Sequence, residues 1–502
     1  MSTDTRPWPW RPIVEAREGR LRWELPKRDL LLLVLLGLLA ITMMFWRLGE
    51  GSLSDFDEAD YAQSAREMLW LHDFNTPRWN GMEFFDKPPL VQWLTAIAYK
   101  VFGVNEFGAR FVAACCGVLA ILLTYVLGRD LFGSRAAGMG AAIMLLTASG
   151  SLFSHGYNFV SLARVGMLDM PLILAMMFSV WLAWRAQWDV KFLVWLGVPL
   201  GLGLMIKSIA GFFAYGIVAL YLLVTLPRSG WWRRETLWGG VLSFVIAAPW
   251  HIGQLLIWGQ HFWNSYMVSL TVGYVTGEQG HTRDWLFYFR SIQRGFPVLY
   301  PAVALAVVYG LYRALRHKDR ATILLLCWTA VPMVLYNVSR SRIGWYMIPI
   351  YPALALLTSS LLVKVLRSKP AILVIILATF AMGPWLPRVG DFNPDVKQVA
   401  SYSEYVLNED AILVNYWPGS YWIRPSALFY AGRPLLLVTD EQALRRLVTT
   451  RGDFYILVDR LHWEPVQELG EVIYRSGDYL LARAHGAMAE QSSSLLRKRG
   501  RL

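Results

Sequence analysis

The chain has 502 residues, 55% of them hydrophobic and only 17% charged, with a mean hydropathy of +0.37. A soluble chain of this size carries about 25% charge, so the composition excludes an ordinary soluble enzyme and points to a polytopic membrane protein. The formal charge of +12 does not argue for nucleic acid. Most of it falls in short loops between apolar runs, where topology explains it.

In chain order, residues 1–29 form a basic arm with Arg6, Arg11, Arg17, Arg20, Arg22, Lys27 and Arg28, expected on the cytoplasmic side. No small-residue cleavage site follows the first apolar run, so a removed signal peptide is not expected. Apolar runs near the ~20 residues that a bilayer requires predict spans at 30–47, 109–128, 138–153, 169–186, 191–206, 209–226, 237–257, 294–314, 321–338, 344–363 and 370–386. Two re-entrant pieces would raise the count from about eleven to about thirteen. With the amino terminus inside, five short loops carry Lys or Arg on one face: 129–135, 185–191, 227–235, 313–320 and 364–369. They satisfy the positive-inside rule under a single alternation. The other face receives three long segments, 48–108, 154–168 and 258–293, and the region after Pro387. Within that region AILVNYW, PLLLVT and FYILVD read as strands, with amphipathic helices before and between them. A small extracytoplasmic α/β domain is expected at 391–485, followed by a disordered basic tail at 486–502. Cys115, Cys116 and Cys327 lie in apolar runs and predict no disulfide framework.

Chemistry-bearing residues concentrate in the long segments. The first holds Asp55, Asp57, Glu58 and Asp60 at the start of a helical pattern. Acids there suit a helix N-terminus, but four together at a membrane surface also suit a reaction centre. Further on, FFDKPPL places Asp86 and Lys87 before a proline pair, which holds Lys87 out of a helix. An ammonium presented from a stiff turn suits a phosphate; a lysine snorkelling to lipid headgroups is the plainer alternative. In the second segment Asp169 opens a span, as an N-cap or as a functional acid, with Arg164 an available partner. The third holds His261, Glu278, His281, Arg283 and Asp284, with His251 just before it. Near the last spans, Arg340, Arg342 and Tyr346 suit a phosphate or generic interface anchoring, and Lys207 ends a span at the same level. No cofactor is demanded; a divalent metal would have Asp86, His251 and His281 as its candidates. Acids and several cations at one lipid boundary imply a base beside an anionic lipid phosphate, hence transfer of a group from that phosphate to a hydroxyl.

DEADYAQSAREML, TPRWNG and FFDKPPLVQWLTAIAYKVFGVNEFGAR resemble the first outer loop of the polyprenyl-phosphate-dependent GT-C glycosyltransferases. The similar groups are the aminoarabinose transferases of lipid A and the protein O-mannosyltransferase-like family. RVGMLDMPL, GLGLMIKSIAG and SRSRIGWYMIPIYPALALL resemble later motifs of the same group. The resemblance implies a GT-C-like transmembrane catalytic domain over 30–390 and inversion at the sugar on the extracytoplasmic face. It implies a polyprenyl-phosphate sugar as donor, undecaprenyl phosphate in a bacterium, and a lipid or glycan acceptor of lipid A type ahead of protein. Asp57 would be the catalytic carboxylate that takes the acceptor hydroxyl's proton or orients that hydroxyl for attack, and Asp169 the second acidic position. Lys87 and Tyr346 would face the donor phosphate, with Arg283 a looser match and Arg340, Arg342 and Lys207 as further cations. Glu58, Asp60, Asp86 and Arg164 would support them. Asp60 stands where the family has Arg, Asp86 where it has Glu, and Ser208 follows Lys207 in place of Gly. A transporter or flippase of a lipid-linked saccharide is the alternative; it predicts ionisable groups at mid-span, whereas these charges gather at the outer boundary. A noncatalytic scaffold is a weaker third reading. The sequence is silent on oligomeric state.

Overall fold

The computed structural model describes residues 26–55, 57–147, 158–226, 233–269, 283–339, 342–380, 390–408, 410–420, 423–451 and 454–484. The basic arm before 26, the tail after 484, Arg340 and His281 lie outside these residues. The chain divides into two compact units. One comprises residues 1–48, 85–94 and 110–388; the other comprises 49–84, 95–109 and 389–502.

The first unit is helical, and its helices follow the apolar runs. Among the described residues, six are long and apolar enough to cross a membrane: Lys27–Phe45, Glu106–Phe132, Lys191–Thr225, Arg234–Ser269, Arg320–Val338 and Gly344–Leu366. A seventh crossing arises if Phe287–Gly295 and Tyr300–His317, bent by 115°, count as one span. Pro297 falls in that bend, where its missing N–H and fixed φ stop a helix. Shorter apolar helices cover Leu90–Phe102, Arg135–Leu146 and Ser368–Ala378. The chain is therefore an integral multi-pass membrane protein of the expected helical class.

The stretch Lys191–Thr225 shows why two spans are expected there. Lys207 (φ −147°, ψ 58°) and Ser208 (φ 23°, ψ −105°) interrupt it. A Cβ on Gly211 would sit 2.6 Å from the carbonyl oxygen of Gly203, whereas eight residues of straight helix would separate them by about 12 Å. The chain thus doubles back at Lys207–Ser208, and glycines on both arms let the backbones touch.

The opposite helix ends are tied by ion pairs. Asp29, fully buried, accepts 2.8 Å bonds from Nε and Nη2 of Arg135 and a 2.5 Å bond from the phenol of Tyr125. Asp130 pairs with Arg129 at 2.8 Å and Arg185 at 3.6 Å. A buried carboxylate requires such partners to stay charged.

The second unit joins the first long segment to the carboxy-terminal region in one core. Leu53, Ala62, Ala65 and Trp79 pack with Val399, Leu428, Tyr430 and Leu481. A two-stranded ribbon, β1 (Arg78–Trp79) and β2 (Met82–Glu83), turns at Asn80–Gly81. Both turn residues have positive φ, 54° and 79°, the geometry that makes Asn-Gly a hairpin signal. The carboxy-terminal sheet holds β3 (Leu413–Tyr416), β4 (Leu436–Val438), β5 (Tyr455–Asp459), β6 (Gly470–Ser476) and β7 (Tyr479–Ala484), in the order β4-β3-β5-β7-β6. β3 pairs in parallel with β4 and β5, and β7 pairs antiparallel with β5 and β6. The first three strands are those read from their apolar runs. The β6–β7 hairpin extends the sheet beyond that reading.

Candidate active site

The acid cluster of the first segment separates by role once folded. Asp55 accepts from Nε of Arg424 at 2.9 Å and from the amide of Ser426 at 3.0 Å, which ties its loop to the helix Pro425–Ala431. Glu58, 1% exposed, accepts from the amide of Ser54 at 2.8 Å and closes the first turn of the helix Asp57–Trp70. Asp57 and Asp60 are half-buried on that turn. One acid that sequence reasoning passed over organises the segment. Glu67, buried, accepts from the amide of Asn80 at 2.6 Å and of Gly81 at 2.9 Å, one bond to each carboxylate oxygen. Asn80 in turn exchanges two 2.9 Å side-chain bonds with the backbone of Leu435. Glu67 and the Asn80–Gly81 turn fall within the two stretches DEADYAQSAREML and TPRWNG quoted above, and these bonds are what joins them.

In the helical unit, Asp169 is the first residue of the helix Asp169–Arg185, with Leu168 as its N-cap. It is therefore not itself the cap. Its partner is Lys207, whose Nζ lies 2.8 and 3.0 Å from the two carboxylate oxygens, with both residues buried. Arg164, offered as that partner by proximity in sequence, goes elsewhere. Its guanidinium, 1% exposed, donates to the carbonyls of Met43, Met44 and Trp46 at 2.6–3.0 Å. Burial, and then the neighbouring Arg110, pull its pKa down to about 10. A helix end leaves such carbonyls unmet, and an arginine near a C-terminus also suits the dipole.

Tyr346 meets the lysine of that pair. It is buried in the 3-10 turn Gly344–Ile350, with the Lys207 ammonium 5.3 Å from its ring centre, a cation–π distance. Tyr336 stacks on the same ring at 4.6 Å. Ser208 hydrogen-bonds the phenol of Tyr266. That phenol lies 2.8 Å from Nε2 of His251, and Nδ1 of His251 lies 2.8 Å from the carbonyl of Ala247. A carbonyl only accepts, so Nδ1 carries the proton and Nε2 accepts from Tyr266. Both ring nitrogens of His251, a metal candidate, are thus occupied.

Lys87 is buried outside any helix, held by the Pro88–Pro89 corner as expected, with Nζ 2.8 Å from Oδ1 and 3.1 Å from the backbone oxygen of Asp86. Beside it, Phe85 packs with Met205, Trp250 and Tyr266. Arg342 donates to the carbonyls of Asn337, at 2.9 Å, and of Arg283, while Arg283 is itself exposed. The structure thus brings together Asp169, Lys207 and Tyr346, and pairs Asp86 with Lys87. Among the described residues, no three of His, Cys, Asp or Glu are grouped to hold a metal ion.

Comparison with known proteins finds chains and folds similar to this one. The family model for dolichyl-phosphate-mannose-protein mannosyltransferase matches residues 86–252. An uncharacterized protein of Aquifex aeolicus is 30% identical over 335 residues, 66% of this chain and 63% of its own. The undecaprenyl phosphate-alpha-4-amino-4-deoxy-L-arabinose arabinosyl transferase of Pseudomonas savastanoi is 29% identical over 321 residues, 61% of this chain and 57% of its own. The chain thus spans about three fifths of the length of these curated relatives. The crystal structure of ArnT from Cupriavidus metallidurans bound to undecaprenyl phosphate aligns with a TM-score of 0.74 at 19% identity, covering 92% of this chain and 98% of that one. The fold is that of the GT-C glycosyltransferases. Within that class its similarities run to ArnT and to the protein mannosyltransferases, the groups that its motifs resemble.

Proposed function

We propose that the chain is an inverting glycosyltransferase that moves a sugar from a polyprenyl-phosphate donor, undecaprenyl phosphate in a bacterium, to a hydroxyl of a lipid A-like lipid or glycan. The reaction would occur on the extracytoplasmic face, with the amino terminus in the cytoplasm and the carboxy-terminal sheet outside. The observation that carries this reading is the buried Lys207–Asp169 pair capped by Tyr346, set at a chain reversal in a GT-C fold. An ammonium already desolvated and held by one carboxylate gives a fixed positive site where a phosphate leaving group develops charge.

The acceptor oxygen attacks the anomeric carbon as the carbon–oxygen bond to the phosphate breaks. The bonding pair leaves with the phosphate, steadied by Lys207, Lys87 and Tyr346, with Arg340, Arg342 and Arg283 as outer cations. The acceptor proton passes to Asp57. Asp169 holds Lys207 in place, and Asp86 holds Lys87. A divalent metal has no assigned part in these steps.

The test is turnover in nanodiscs with a panel of undecaprenyl-phosphate sugars and lipid A or glycan acceptors, read by mass spectrometry. Release of undecaprenyl phosphate with a glycosylated acceptor is expected. Asp57→Asn should lower it by roughly 10²–10⁴-fold, the range of a lost general base. Wild-type turnover by a folded Asp57→Asn protein would overturn the assignment.

A further inference from the structure

The helix Arg320–Val338 starts at Asp319 and carries Tyr336, the stacking partner of Tyr346, near its other end. At ~1.5 Å per residue these ends lie about 25 Å apart. A cavity of about 350 Å³ opens at the Asp319 end, away from the candidate active site. Its volume is within the range of ligand pockets, roughly 300–1,000 Å³. Its walls come from the short basic loops and the helix ends beside them, and include Tyr309, Arg313, Asp319, Ser134 and Lys364.

The charges around it do not balance. At two other helix ends acids answer the cations: Asp29 takes Arg135, and Asp130 takes Arg129 and Arg185. In the cavity wall the carboxylate of Asp319 is already committed. Oδ1 caps its own helix through the amide of Ala321, and Oδ2 accepts from Thr322 and from Nη2 of Arg313. Lys364 is held by the hydroxyl and ring face of Tyr309 and has no carboxylate partner among the described residues. Nε of Arg313 is buried and has no hydrogen-bond partner among the described residues. Ser134 spends its oxygen as acceptor for the amide of Ala137, which leaves its proton to donate. The wall therefore offers two cations and a hydroxyl donor against one satisfied acid.

Several donors converging with net positive charge suit a phosphate. The adjoining face of the helix Tyr300–His317 exposes Leu305, Val308, Leu311 and Leu315, an apolar track for acyl chains. We infer that this cavity is a binding site for a phosphate ester, supplied by the headgroup of an anionic phospholipid. Basic pockets between membrane helices take such headgroups.

Native mass spectrometry of the delipidated full chain would test this with phosphatidylglycerol, phosphatidylcholine of the same acyl chains, and soluble glycerol phosphate. One retained phosphatidylglycerol in preference to phosphatidylcholine is expected. Lys364→Ala should reduce retention about fivefold, Lys364→Arg should restore it, and Lys369→Ala, outside the cavity wall, should leave it unchanged. Equal retention of the two lipids would overturn the proposal, as would a Lys364→Ala protein that keeps its phosphatidylglycerol. Glycerol phosphate binding as tightly as the lipid would overturn the lipid source.

Discussion

Lys207 and Asp169 form a buried ion pair across two helices, with one ammonium 2.8 and 3.0 Å from the two oxygens of one carboxylate. Breaking such a pair on one side leaves the other charge stranded in a low-dielectric interior, at a cost of about 3–5 kcal/mol. Asp169→Ala and Lys207→Met should each lower thermal stability in detergent strongly. The double variant Asp169→Leu with Lys207→Met should recover much of that loss and still lack sugar transfer. A double variant as unstable as either single one would show that the pair's cost does not lie in the stranded charge.

Glu67 holds the Asn80–Gly81 turn with two short bonds to a charged acceptor, each worth about 1.5–3 kcal/mol. Glu67→Gln keeps the size but loses an acceptor and the charge. It should expose β1–β2 to limited proteolysis while leaving the helical unit's melting intact. Cleavage no faster than wild type would mean that the turn holds without Glu67.

Tyr266 links Ser208 to His251 through its hydroxyl. Ser208 has a positive φ of 23°, costly for a residue with a Cβ. Tyr266→Phe keeps the ring packing on Phe262 and Trp250 and removes only the hydroxyl. The expected result is a folded protein with donor affinity weakened about tenfold, because the turn that presents Lys207 loses its tether. His251→Gln should weaken it less, since the serine–phenol bond survives. Unchanged donor affinity in Tyr266→Phe would show that Lys207 needs no such tether.

Arg164 donates to three carbonyls at the C-terminal end of the helix Lys27–Phe45, those of Met43, Met44 and Trp46. Arg164→Lys keeps the charge but cannot match that fork. Stability should fall by about 1–3 kcal/mol, the cost of leaving buried acceptors unmet, as a lower melting temperature. A melting temperature within error of wild type would return Arg164 to consideration as a site cation.

Helices and the first three sheet strands were legible because apolar runs of span or strand length carry their own signal. The reversal at Lys207–Ser208 was legible for the same reason, since two spans fit where one would be too long. The partner of Asp169 was not legible, because Lys207 lies 38 residues away and Arg164 only five. Chain proximity favoured the wrong cation; burial and helix-end carbonyls decided otherwise. Glu67 escaped attention because a lone acid in an amphipathic helix looks like a solvated face, and its target turn comes 13 residues later. The β6–β7 hairpin was passed over because its alternation is weak beside the three apolar strands.

The two-way clasp of Asn80 on Leu435 also bears on ancestry and engineering. The carboxy-terminal sheet is not a cassette that could be exchanged among relatives at a single splice point near residue 390. A chimera would have to import residues 49–84 and 95–109 along with it, because a foreign sheet would arrive without the loop its own core expects. The two stretches should therefore have diversified in step.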